Sequence, residues 1–147
     1  YATKNKDKRI HKSVSEYIAI EKKNRLDKYS TYLEFGKKVK ETKEQSLEMI
    51  NKIKLENKKI IGFGAPAKAT TILNYFGLSE KDFLFTIDEN SLKQNKFIPG
   101  TGIQIKSIDD IGPNDYDYVL VLAWNFFDVI KKNNQQLFKN SEFIKLK

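Results

Sequence analysis

Ile60-Ile61-Gly62-Phe63-Gly64-Ala65-Pro66-Ala67-Lys68 holds an apolar run, a double-glycine turn and a helix start in one short stretch. A brief apolar run bounded by turn residues reads as a buried strand. Gly62-x-Gly64-x-x-Ala67 then matches a glycine fingerprint with Ala in the third place. Glycine at such a turn lets another backbone or a ligand come close. The helix that follows presents unpaired N–H groups and a partial positive charge at its start. Pro66 near the first helical turn sacrifices no hydrogen bond there. Lys68 adds a cation that can reach a phosphate. Together these features suit a phosphate-bearing ligand. Spacing alone also permits a structural turn, with Lys68 a surface residue whose stem packs on the sheet edge.

Working downstream, Ala65 to Phe76 reads as a helix with Ile72, Leu73 and Phe76 on its apolar side and Gly77 as its stop. Phe83 to Asp88 is a second strand. Asn90 to Gly102 is a polar loop with a Pro99-Gly100 turn. Ile103 to Ile105 is at most a short strand, and Ser107 to Ile111 a turn of helix. Tyr118 to Trp124 is nearly continuous in apolar residues, as a central parallel strand buried on both faces should be. Phe126 to Phe138 is helical and Glu142 to Leu146 a final strand. Upstream, Ser13 to Glu21 is a helix with a Ser13/Glu16 capping box. After a break at Asn24 to Asp27, a helical pattern runs from Tyr29 to Leu55. At ~26 residues it would be ~39 Å long, the length of a connector. Strand-helix alternation means a parallel sheet covered on both faces. The expected fold is therefore α/β: a Rossmann-like three-layer domain with a mostly parallel five-stranded sheet, preceded by a helical N-terminal segment with one long helix. Residues 1–57 are the helical connector packing on the core, and 58–147 the Rossmann-like domain. The expected strand order is third, second, first, fourth, fifth. It puts a switch point between 60–64 and 118–124, where ligands bind outside the carboxyl ends of the strands.

Composition narrows the chemistry. The 147 residues contain no Cys, which excludes disulfides, thiolate metal sites and Cys nucleophiles. One histidine, His11, leaves no imidazole for a metal cluster or a Ser-His-Asp triad. No apolar run approaches the roughly 20 residues of a membrane span. No signal-peptide pattern follows the N-terminal lysines, so the expected location is the cytoplasm. The chain opens at Tyr1 without Met, which reads as a fragment. The net charge of +8 is uneven: residues 1–59 carry 17 Lys+Arg against 9 Asp+Glu, and residues 60–147 carry 10 of each. No aromatics interleave with the basic cluster at 4–12, and Glu and Lys alternate through 34–56. The basic excess therefore reads as a solvated helix surface rather than a nucleic-acid arm.

Other candidate contacts fall at the same end of the sheet. Asp88 closes the second strand, where an acid can bind ribose hydroxyls; it equally suits a cap on the turn Asp88-Glu89-Asn90. Lys93, Gln94 and Lys96, with the turn Pro99-Gly100-Thr101, lie in a loop that can meet phosphate or sugar, or simply be solvated. Trp124 can stack on a base or sugar, or plug the sheet end. Asn125 can bind a hydroxyl or carbonyl, or cap the next helix.

Several of these pieces occur in order: Gly62 to Lys68, Leu73-Asn74-Tyr75, Asp88 to Lys96, Pro99-Gly100-Thr101, Tyr118-Val119-Leu120 and Ala123-Trp124-Asn125. Together they closely resemble the C-terminal domain of the sugar C-methyltransferase family, over roughly residues 13–146. These enzymes are SAM-dependent and act on nucleotide-linked deoxysugars such as dTDP-4-keto sugars. The resemblance implies a parent with an N-terminal zinc-binding domain and a central SAM-binding catalytic domain. Zinc and SAM would be bound in those domains, and no cofactor in this one. It implies a nucleotide-sugar as ligand and the catalytic methyltransferase domain as partner. It adds Asn74, Ala65 and Ala67 to the substrate-binding set and places no catalytic residue in this chain. Departures are Ala69 where the family usually has Gly, Thr70 where it has Asn, and Gly102 where many have His. Two other functions remain open on the residues alone. One is an NAD(P)-binding oxidoreductase fragment, although no residue suits hydride chemistry as acid or base. The other is a nucleic-acid-binding module using the basic N-terminal helices.

Overall fold

The computed structural model describes residues 4, 9–112 and 116–146. Two compact units divide the chain, residues 1–41 and 42–147. The division lies inside the long helix, earlier than the boundary at 57, because Ile50 and Ile53 belong to the core of the second unit.

In the first unit, α1 (Lys12–Lys23) is capped by His11, whose imidazole accepts from the Ser13 N–H at 3.3 Å. The helix starts two residues earlier than the Ser13/Glu16 capping box requires, with His11 and not Ser13 as its cap. Glu16 instead meets Lys12 one turn away at 3.6 Å. The corner after α1 is fixed by the Tyr32 hydroxyl, which donates to the Leu26 carbonyl at 2.6 Å, and by Thr31, which donates to Arg25 at 2.7 Å. There α2 (Tyr29–Leu55) begins, over the span its pattern predicts.

The second unit is the α/β domain. Among the described residues its sheet has five strands: β1 (Ile60–Phe63), β2 (Thr86–Ile87), β3 (Ile105–Lys106), β4 (Tyr118–Val121) and β5 (Glu142–Ile144). They lie in the order β3-β2-β1-β4-β5, and every neighbouring pair is parallel. The C-terminal part of α2 and two further α-helices among the described residues, α3 (Ala67–Phe76) and α4 (Phe127–Asn134), complete the unit. Alternation along the central strands sends side chains to two cores. Ile60, Leu120 and Leu122 join Ile50 and Ile53 of α2 and Ala69, Leu73 and Phe76 of α3. Ile61, Phe63, Val119 and Val121 join Phe138 and Phe143, with Phe127 and Ile130 of α4 packed against them. Helix α3 ends as expected at Gly77, in left-handed conformation (φ 78°). The N–H of Leu78 returns to Leu73 and that of Gly77 to Asn74, a Schellman stop.

Several elements are shorter than their sequence patterns. Pro66, extended at φ −72° and ψ 156°, occupies the cap position, so α3 begins at Ala67 and not at Ala65. Of Phe83 to Asp88, only Thr86 and Ile87 form strand, although the Leu84 N–H already reaches the Ile60 carbonyl. The strand expected at 103–105 shifts to Ile105–Lys106, because Gln104 bridges antiparallel to Phe97. β4 stops at Val121, since a 3₁₀ turn takes Trp124–Phe126. The last helix ends at Asn134 and the last strand at Ile144.

Candidate functional site

The two glycines of the loop have different jobs. A Cβ on Gly62 would lie 2.6 Å from the Thr86 hydroxyl and 2.8 Å from its Cβ, so Gly62 lets β1 and β2 close on each other. Gly64 ends β1 at φ +87°, where only glycine is comfortable. It is held from both sides: its N–H donates to Ile87 at 2.6 Å, and its carbonyl accepts from the Thr86 hydroxyl at 3.0 Å.

A network of side chains then fixes the loop. Asp88, buried at the end of β2, accepts from the Ala65 N–H at 2.7 Å and from the Lys93 ammonium at 3.1 Å with one oxygen. The other oxygen accepts from the Asn90 N–H at 2.9 Å. Lys93 also donates to the Ala65 carbonyl at 3.0 Å, and the Gln94 amide donates to the Asp88 carbonyl at 3.0 Å. Burial pushes the Asp88 carboxyl up. The N–H groups of Asn90 and Ala65 and the Lys93 ammonium outweigh it and hold the group below its ordinary value. Asp88, Lys93 and Gln94 thus form an internal clamp on Ala65. A second tie holds the 95–105 segment to α3: Asn74 donates to Thr70 at 2.8 Å and to Pro99 at 2.9 Å, with Gly100 against its side chain. Thr101 is buried, its hydroxyl donating to Ile98 and accepting from the Ile103 N–H.

What faces outward is a smaller set. The Lys68 ammonium, in the first turn of α3, lies 4.1 Å from the centre of the Trp124 ring. Pro66 holds the cap position of that helix, and the exposed Ala67 opens it. Asn125 is exposed in the 3₁₀ turn and does not cap α4, whose cap position is Phe126 with no side-chain bond. Lys96 is exposed, and among the described residues its ammonium has no partner. On the α4 side of the loop lies a cleft of about 310 Å³, bounded by Phe63, Gly64, Asp88 and Glu89. Its other wall is Phe126, Val129, Ile130, Asn133 and Asn134. Of the cleft residues, sequence reasoning found only Gly64 and Asp88. The signal for the rest was present: positions 126, 129, 130, 133 and 134 share one face of a helix that begins just after the switch-point strand.

Among the described residues no three His, Asp or Glu side chains gather to hold a metal ion, and no helix is long and apolar enough to cross a membrane. Residues 1–145 match the family described as the C-methyltransferase C-terminal domain. The C-methyltransferase NovU of Streptomyces niveus is 31% identical to this chain over 134 residues, which cover 91% of this chain and 32% of that protein. The chain thus spans about a third of the length of the curated relative it matches.

Proposed function

The chain belongs to the C-methyltransferase C-terminal domain family, and from that premise we propose that it holds the substrate of a cytoplasmic SAM-dependent methyltransferase acting on dTDP-type deoxysugars. The observation that carries this reading is the Lys68 ammonium over Trp124, beside the first turn of α3 at the switch point of a parallel sheet. A cation, an indole face and a positive helix end in one place suit a diphosphate joined to rings. Methyl transfer itself belongs to a catalytic domain of the parent enzyme. SAM and zinc are bound there, and this domain alone is inactive. The clamp of Asp88, Lys93 and Gln94 supports the reading in a second way, because it keeps the loop in one shape before a ligand arrives.

A thermal-shift series tests the proposal. A ligand at 100 times its Kd stabilises a protein by about 2.7 kcal/mol. dTDP and a dTDP-sugar are expected to raise the melting temperature, and NAD to leave it unchanged. Lys68→Ala is expected to remove most of the rise without lowering the unliganded melting temperature. Stabilisation by NAD alone would overturn the reading in favour of a dinucleotide site.

A further inference from the structure

The 3₁₀ turn Trp124–Phe126 separates two different chemistries. With three residues per turn, side chains two positions apart diverge by about 120°. Trp124 goes to Lys68 on α3, and Phe126 lines the cleft beside α4. The Lys68 side offers positive charge. The cleft side differs: among the described residues no Lys or Arg lines it, while Asp88, paired with Lys93, and Glu89 do. Asp88 is fully occupied by its clamp, but among the described residues Glu89 has no ion-pair partner. Asn133 is exposed on the cleft wall, and Asn134 spends one N–H on the Ile130 carbonyl while keeping its amide oxygen as an acceptor. The floor is buried Phe63, and the rim carries Phe126, 62% exposed, and Val129, 58% exposed.

A phosphate would meet the Glu89 carboxylate and, among the described residues, no free cation in such a cleft, whereas hydroxyl groups would find acceptors in Glu89 and the two asparagines. An apolar rim suits the C–H face of a ring. At about 310 Å³ the cleft is at the small end of ligand sites and fits one ring rather than a dinucleotide. We infer that the cleft between β1 and α4 receives the hydroxyl-bearing glycosyl ring of the nucleotide-sugar, while the diphosphate lies on the Lys68 side of the turn. This rests on the function proposed above and adds the orientation of the ligand across the sheet edge.

Calorimetric titration of the full 147-residue chain with two probes, dTDP and dTDP-glucose, tests it. Asn133→Ala is expected to weaken dTDP-glucose about fivefold and Glu89→Gln about tenfold, the scales of one lost neutral and one lost charge-assisted hydrogen bond, and both to change dTDP by less than about twofold. Both positions are exposed, so melting temperatures stay at the wild-type value and serve as the folding control. Equal loss of both ligands would put the base or phosphate in the cleft and overturn the inference. Loss of neither would do the same while leaving the proposed function intact. A wild-type chain that binds neither probe overturns both.

Discussion

Asp88 spends both carboxylate oxygens inside the protein, on three donors from the glycine loop and the following turn. Its folded-state pKa is held below the usual value, so the stabilisation it gives is fully present above the unfolded-state value of about 4. It is lost as pH falls through the lower folded-state value. Asp88→Asn is expected to cost about 1–3 kcal/mol at neutral pH, since it removes the charge and turns an amide donor toward other donors. Urea unfolding at pH 7 and again near pH 3 checks this: the gap between wild type and variant should shrink as the acid is protonated. A gap that stays constant with pH would contradict the clamp. The position of Asp88 at the end of β2 was legible from the sequence, and so was its turn to Asn90. The link to Ala65 and Lys93 was not. It exists only because residues 90–96 fold back over the loop, and nothing in residue spacing announces that return. The same holds for Asn74, whose amide reaches Pro99 across the sheet edge.

Helices and strands were legible in proportion to how much of each is buried. β1 is buried throughout and β4 nearly so, and their apolar runs located them. β2 and β3 have two residues each, too few for any periodicity to set their ends. The start of α1 was misplaced because a histidine took a capping role usually filled by Ser, Thr, Asp or Asn. That helix has 12 residues and buries none of them. Helices of that length are marginal in water without packing. In hydrogen-exchange mass spectrometry, amides of α1 are therefore expected to exchange on the order of 100-fold faster than those of β1 and β4. Protection of α1 equal to that of the sheet would show that something covers it.

At the scale of the molecule, the strand order and the switch point follow from the alternation of elements, and the parallel pairing agrees with both. The uneven charge was equally visible, with the basic excess confined to residues 1–59. Less visible was the difference between the Lys68 side of this sheet edge and the cleft side, where among the described residues no Lys or Arg lines the wall, because it depends on where one 3₁₀ turn sends its first and third residues.

Trp124 is the sole tryptophan of the chain, and a lysine ammonium stands over its ring. An ammonium at that distance sets the electric field on the indole, so its emission is an optical gauge of where Lys68 is. When a diphosphate draws the amine away, the colour or yield of that emission should change with saturable dependence on dTDP. In Lys68→Met the gauge has no charge to lose, and the titration should be flat. A variant that responds like wild type would mean that the indole senses something other than Lys68. No label is needed, since the only strong fluorophore already sits at the proposed door.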